Sequence, residues 1–262
     1  MGILNTTPDS FSDGGKYYGF DAALARGLEL AEQGAGIIDV GGESTRPGSK
    51  RITTADEIDR VVPLIEKLRQ ETDTPVSIDT SKAEVAKEAV KAGASIINDV
   101  SGLTFDADMA EVVAESGAGL VLMHLKGNFE TMHEKDHSLD IIDEVSAGFE
   151  RSLSIAESAG IDKDRICLDI GIGFSKTLEQ SLRLLRQLRE IKVRFQRFPM
   201  LVGVSRKSFI GLISGENNPE KRLPGSLAAG IAAVAAGADI LRVHDVSETV
   251  QALKVLTSIG IE

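Results

Sequence analysis

Residues 75–102 read PVSIDTSKAEVAKEAVKAGASIINDVSG, and this stretch decides the fold. An apolar run ends in Asp79-Thr80, a helix-patterned segment follows and closes at Gly93, and a second apolar run ends in Asn98-Asp99. Strands that alternate with helices in this way specify a parallel sheet. Outward from this unit the pattern recurs: runs at 2–5, 36–42, 75–80, 95–102, 119–127, 165–174, 200–207 and 239–245 all end in polar or charged clusters. Eight such units in about 250 residues are what a closed (β/α)8 barrel, the TIM-barrel form of the α/β class, requires. The sequence of 262 residues is therefore expected to form one domain, 1–262, because barrels of that length do not divide. The polar clusters then meet on one rim, at the C-terminal ends of the strands.

Joints between helices and strands support the reading. Gln33-Gly34-Ala35, Ala92-Gly93-Ala94, Ser116-Gly117-Ala118 and Ala236-Gly237-Ala238 each place glycine where a helix ends in the left-handed conformation. They precede strands, whereas a dinucleotide-binding glycine fingerprint follows one, so a Rossmann reading fails on order. Ile58, Val61, Val62, Ile65 and Leu68 give one helix face, and Leu178, Leu182, Leu185 and Leu188 another. Residues 226–238 are almost wholly apolar, which predicts a helix packed on the barrel and on a second copy of the chain in a homodimer. Two long loops, 6–19 and 126–138, are expected to be functional or mobile.

Composition narrows the function. A net charge of −11 argues against non-specific nucleic-acid binding. No apolar run is long enough to span a bilayer, and no signal segment opens the chain, so no membrane partner is expected. Cys167 stands alone, which suits a reducing cytoplasm, and between Ile166 and Leu168 it reads as core filling. The chain opens almost on its first strand, and a short or truncated start is expected.

Strand ends place Asn5, Asp39, Asp79, Asn98, Asp99, His124, Asp169, residues 205–208 and residues 242–245 around the rim. Arg46, Arg206, Lys207 and Arg242 in an otherwise acidic chain build a local anion site. Loops after the seventh and eighth strands commonly bind phosphate in this fold, and Ser208 starts a helix whose free N–H groups also favour an anion. The alternative is that these cations neutralise neighbouring carboxylates. Asp79 and Asp169 end apolar strands, where a carboxylate is costly unless paired; a ligand with a guanidine-like edge would satisfy one of them bidentately. Acids and an amide on one side, with anion donors on the other, suggest a heterocycle carrying a phosphate-type leaving group.

Three patterns are decoys. His133-Glu134-Lys135-Asp136-His137 matches the zinc-protease string, but it is strongly polar and lies before a helix start rather than inside a helix. Residues 173–177 resemble the tail of a phosphate loop without its Gly-Lys pair. Ser205, His244 and Asp245 lack the nucleophile elbow of a hydrolase triad.

The motifs at 1–15 (MGILNTTPDSFSDGG), 41–48 (GGESTRPG), 78–82 (IDTSK), 97–99 (IND), 205–211 (SRKSFIG) and 242–246 (RVHDV) together resemble dihydropteroate synthase, collinearly to about residue 250. The resemblance implies condensation of p-aminobenzoate with 6-hydroxymethyl-7,8-dihydropterin diphosphate, giving 7,8-dihydropteroate and pyrophosphate. It assigns the pterin to Asp79, Asn98, Asp169 and Lys207, and the diphosphate to Asn5, Arg242 and His244. Phe11, Thr45, Arg46, Pro47 and Ser208 would line the aminobenzoate pocket, Asn5 and Asp13 would hold Mg²⁺, and sulfonamides would compete. No covalent or acid–base residue is implied. The chain departs from the family pattern at Ile170 (family Pro), Lys126 (Gln) and Phe129 (Pro). Rival readings are a methyltetrahydrofolate-dependent methyltransferase and a non-catalytic pterin-binding paralogue.

Overall fold

Alternating side-chain environments build the strands: in a barrel, successive residues of each strand face the interior and the helical layer in turn. A computed structural model describes residues 1–6, 16–45, 48–134 and 140–260. Its strands are β1 (Gly2–Asn5), β2 (Ile38–Gly41), β3 (Val76–Asp79), β4 (Ile96–Asp99), β5 (Gly119–Met123), β6 (Ile166–Asp169), β7 (Met200–Val202) and β8 (Ile240–Leu241). They form one parallel eight-stranded sheet in sequence order. A parallel bridge between Gly2 and Val243 closes it, with Ile3 N–H donating to the Val243 carbonyl and Val243 N–H to the Met1 carbonyl, both at 2.9 Å. The expected (β/α)8 fold is the one observed, with strands shorter than the runs that announced them.

The helices are α1 (Lys16–Glu32), α2 (Thr54–Glu71), α3 (Ala83–Lys91), α4 (Met109–Ser116), α5 (Ile141–Ser158), α6 (Leu178–Arg186), α7 (Leu188–Arg194), α8 (Ser208–Ser214), α9 (Leu223–Ala235) and α10 (Val246–Ser258). In α2, Thr53 caps the first turn by accepting from Asp56 N–H at 3.1 Å, and Val61, Ile65 and Leu68 are buried as their spacing predicts. Each such side chain contributes about 1.5–3 kcal/mol by leaving water. Gly34, Gly93, Gly117 and Gly237 have φ of 92°, 113°, 71° and 105°, so each ends its helix left-handed as expected.

Two helical expectations shift. The leucine stripe breaks at Gln187 into α6 and α7, and Leu184, not Leu182 or Leu185, is its fully buried member in α6. The apolar helix expected at 226–238 begins earlier, at Leu223, with Pro224 in the first turn, where proline's missing N–H costs nothing. The first long loop is also shorter than expected, because α1 already begins at Lys16.

Two hydrophobic layers result. Outward residues such as Leu4, Val40, Ile78, Ile97, Leu120 and Leu168 pack beneath the helices. Inward residues Met1, Ile96, Val121, Cys167, Leu201 and Ile240 plug the barrel interior. Above the plug, the sheet register aligns Asn5 with Gly41, Gly41 with Asp79 and Asp79 with Asn98, so one polar row crosses four strands. No helix among the described residues is long and apolar enough to cross a membrane.

Candidate active site

The polar row opens into a recess lined by Thr45, Asp79, Asn98, Asp169, Phe174, Gly203, Ser205, Lys207, Arg242 and His244, together with Ile3, Val100 and Met123. A concave site with a few convergent polar groups is the usual form of a small-molecule site. Asp79, Asn98, Asp169, Lys207, Arg242, His244 and Thr45, all expected on the site from sequence, meet here. Asn5 lies in the same register row, its Oδ1 3.6 Å from where a Cβ on Gly41 would stand, but does not line the recess.

Arg242 organises the floor. Its Nε donates to Asp39 Oδ2 at 2.6 Å and its Nη2 to Asp79 Oδ2 at 2.5 Å. Burial works against that charge, but Asp39 and Asp79 together hold the guanidinium above its ordinary value. Asp39 Oδ2 also accepts from Asn98 Nδ2 at 3.1 Å, which fixes the amide orientation. Burial pushes the Asp79 carboxyl up to about 7 despite Arg242 beside it, with Asp39 adding to the rise. The resemblance assigns Arg242 to the diphosphate; in the structure its guanidinium is a counter-ion to two carboxylates and lines the recess.

Asp169 sits at the mouth of β6. Its Oδ1 accepts from Gly171 N–H at 2.8 Å, and Gly171 adopts a φ of 64°. A Cβ on Gly171 would come within 2.0 Å of the His124 carbonyl oxygen, so only glycine fits this bend. This turn fixes the backbone without proline, and Ile170 is free to bury itself in the outer core. Burial raises the Asp169 carboxyl, opposed by the Gly171 N–H and by Lys207. Lys207 Nζ donates to the Ile172 carbonyl at 2.7 Å and lies 4.4 Å from the Phe174 ring centroid. Burial lowers it to about 8, with Asp169 countering. Opposite, Ser205 Oγ accepts from His244 N–H at 3.2 Å and meets His244 Nδ1 at 3.1 Å, which orients the imidazole.

Several rim candidates do not face the recess. His124 follows the inward Met123 and therefore points outward, against α5; a Cβ on Gly148 would lie 2.3 Å from its ring. Its Nδ1 meets Lys176 Nζ at 3.1 Å, and burial followed by Lys176 holds its pKa well below the usual histidine range. Asp99, next to the inward Asn98, instead accepts from Ser101 and Leu103 N–H at 2.8 and 2.7 Å and braces the turn after β4. Arg206 pairs with Asp245 through both Nε, at 3.0 Å, and Nη2, so it is a structural ion pair rather than an anion donor. Ser208 is exposed at the start of α8 and outside the recess lining. Lys126 is exposed, and Phe129 is buried. Burial pushes the Cys167 thiol up to about 12, as inert core filling requires. Phe11, Asp13, Arg46, Pro47 and His137 lie outside the described residues.

Sequence reasoning missed the recess roles of Ser205 and Phe174. Ser205 stood in the rim run but was weighed as a nucleophile, and nothing in the pattern around Phe174 marks it.

A parallel barrel with an acid–amide set and cations on one C-terminal recess is the architecture of a pterin-binding enzyme, and residues 1–244 match the pterin binding enzyme family. A dihydropteroate synthase from Synechocystis sp. is 48% identical over 255 residues, which are 97% of this chain and 88% of that protein. The Clostridium difficile dihydropteroate synthase structure with pteroic acid superposes with a TM-score of 0.93 at 43% identity, covering 100% of this chain and 96% of that one. The Xanthomonas albilineans enzyme with 4-aminobenzoic acid gives 0.93 at 44% identity, covering 100% and 93%. The chain belongs to the dihydropteroate synthases within this family.

Proposed function

We propose that the recess binds 6-hydroxymethyl-7,8-dihydropterin diphosphate and joins its methylene carbon to p-aminobenzoate, giving 7,8-dihydropteroate and pyrophosphate. The observation that carries this reading is the convergence of Asp79, Asn98 and Asp169 with Lys207, Arg242 and His244 on one recess. Pteroic acid and 4-aminobenzoic acid, the ligands of the two structural neighbours, are the joined skeleton and one of its halves.

In this reading Asp169 and Asp79 accept from the pterin N–H groups, and Asn98, its amide committed to Asp39, offers its oxygen. The C–O bond to diphosphate breaks as the aniline nitrogen bonds to the methylene carbon. The aniline gives up one proton to water, and pyrophosphate leaves with the bond's electron pair. No protein nucleophile is needed. Arg242 offsets part of the charge of Asp39 and Asp79 and so makes room for an anion, and His244, oriented by Ser205, supplies a donor preorganised toward the leaving charge, while Lys207 serves the pterin. Thr45, on the recess, borders the aminobenzoate subsite, to which the family resemblance also assigns Phe11, Arg46 and Pro47.

Mg²⁺ fits this donor set. It takes one or two protein oxygens plus substrate phosphates rather than a full protein cage; Asn5 puts a side-chain oxygen on the polar row, and no caging cluster of acids, His or Cys is found among the described residues. Asn5 and Asp13 would hold the ion, which when bound adds positive charge at the diphosphate. The partly exposed apolar flank of α9, with Leu212 and Ile213 at 66% and 60% exposure beside it, supports a homodimer, and the single buried thiol suits the cytoplasm.

Pyrophosphate release on adding p-aminobenzoate to protein loaded with pterin diphosphate and Mg²⁺ tests the reading. One pyrophosphate per dihydropteroate is expected. Tight pterin diphosphate binding with no release would overturn the reaction.

A further inference from the structure

We infer that His133 is a positioning residue for the aryl-amine subsite: through it the loop after β5 clasps the loop after β2 and fixes the Thr45 carbonyl at the edge of the recess. The inference rests on the reaction proposed above, in which Thr45 borders the aminobenzoate.

His133 Nε2 lies 2.6 Å from the Thr45 carbonyl oxygen, 88 residues away in sequence. A carbonyl only accepts, so Nε2 carries a proton and donates it. The imidazole also stacks on Phe174, with ring centroids 5.5 Å apart and planes at 25°. The same two loops meet again where the Arg51 guanidinium sits 5.1 Å over the Phe129 ring.

The clasp has firm footings on both sides. Phe129 and Met132 are buried with Val100, Met123 and Phe174 in a small core of their own beside the recess. Across from it, Lys82 Nζ ties the two stems of the β2 loop together, donating to Glu43 Oε1 and to the Ile52 carbonyl, each at 2.8 Å. Thr45 lies between those stems, and a hydrogen bond from an anchored ring sets where its backbone stands. Preorganising a loop reduces the ordering cost of binding what the loop touches. The pterin end of the recess is built on strand ends and meets His133 only through the Phe174 ring, which also faces Lys207. The hydrogen bond to Thr45, as distinct from the stack, therefore acts on the second substrate selectively.

Two substitutions separate the hydrogen bond from the stack. His133→Phe keeps a ring on Phe174 and loses the donor; His133→Gln keeps a donor and loses the ring. His133→Phe is expected to raise KM for p-aminobenzoate roughly tenfold, the scale of one hydrogen bond, while the Kd for pterin diphosphate stays within about twofold. His133→Gln should restore most of the aminobenzoate KM. An unchanged KM in His133→Phe, or an equal loss of pterin affinity, would overturn the inference. Should His133→Phe fail to fold, Arg51→Met probes the clasp from the other loop, where the arginine side chain is 37% exposed. A raised aminobenzoate KM with pterin affinity retained supports the clasp, and wild-type KM overturns it. Failure of the proposed reaction looks different: wild-type protein would then release no pyrophosphate at all.

Discussion

Asp39, wholly buried in the barrel interior, is ion-paired to Arg242 at 2.6 Å. The same guanidinium holds Asp79, so one cation makes two carboxylates compatible with an apolar barrel. Removing one partner of such a buried pair leaves an uncompensated charge, at a cost of about 3–5 kcal/mol. Arg242→Ala should lose stability on that scale in urea unfolding. Arg242→Met combined with Asp39→Asn should recover part of it and remain inactive, because the floor then keeps Asp79 with no guanidinium beside it and offers no positive charge to the leaving diphosphate. If the double variant is as unstable as Arg242→Ala, the pair is not what holds the floor together.

Asp169 separates binding from folding. Its Oδ1 accepts from Gly171 N–H, a bond that an asparagine oxygen also makes. Asp169→Asn therefore keeps the turn while removing the charged acceptor from the pterin. Hydrogen bonds to charged groups contribute about 1.5–3 kcal/mol, so pterin affinity should fall roughly 10- to 150-fold. The melting temperature should hold or rise, since burial of a carboxylate is relieved. Calorimetric titration alongside thermal melts checks both, and unchanged affinity would remove Asp169 from the site.

The barrel was legible in sequence because strand runs, glycine joints and polar run-ends all pointed to one topology. Asp79, Asn98 and Asp169 were legible for the same reason: each ends a run and faces in. The failures came in adjacent pairs. Asn98 faces the recess and Asp99 braces a turn; Met123 faces in and His124 out; Lys207 lines the recess and Arg206 pairs with Asp245. Neighbours along a strand and its immediate extension face opposite sides, and which one faces in is set by register with other strands, while Arg206 and Lys207 are parted by the turn after β7, where Arg206 has a φ of 59°; no local window holds either piece of information. The bond from His133 to Thr45 was out of reach for a related reason, since two loops 88 residues apart meet only once the barrel is closed.

Lys176 gives a pH signature of stability. It is buried, donates to the His124 and Phe174 carbonyls at 3.2 and 3.1 Å, and burial lowers it from 10.5 to about 7. Between those values the unfolded chain holds a proton that the folded chain has released. Unfolding then takes up protons, so this lysine's contribution to stability rises as pH goes from about 7 toward 10.5. Wild-type melting temperature should therefore gain on that of Lys176→Met across this window. Parallel curves for the two proteins would show that the buried ammonium does not titrate there.

Ligand binding should carry its own pH profile. Asp79, raised by burial to about 7, accepts best from a pterin N–H when ionised, so affinity should climb as pH rises through that value. Lys207, lowered by burial to about 8, gives the pterin a charge-assisted hydrogen bond only while protonated, so affinity should decline above it. Calorimetry with pterin diphosphate from pH 6 to about 9.5 is expected to give a maximum between those two limbs. Lys207→Arg keeps its charge throughout, since guanidinium does not deprotonate in this range. Whatever its absolute affinity, that variant should keep the acidic limb and lose the basic one. A basic limb that persists in Lys207→Arg would mean that another group near the recess, or the ligand itself, sets the upper edge.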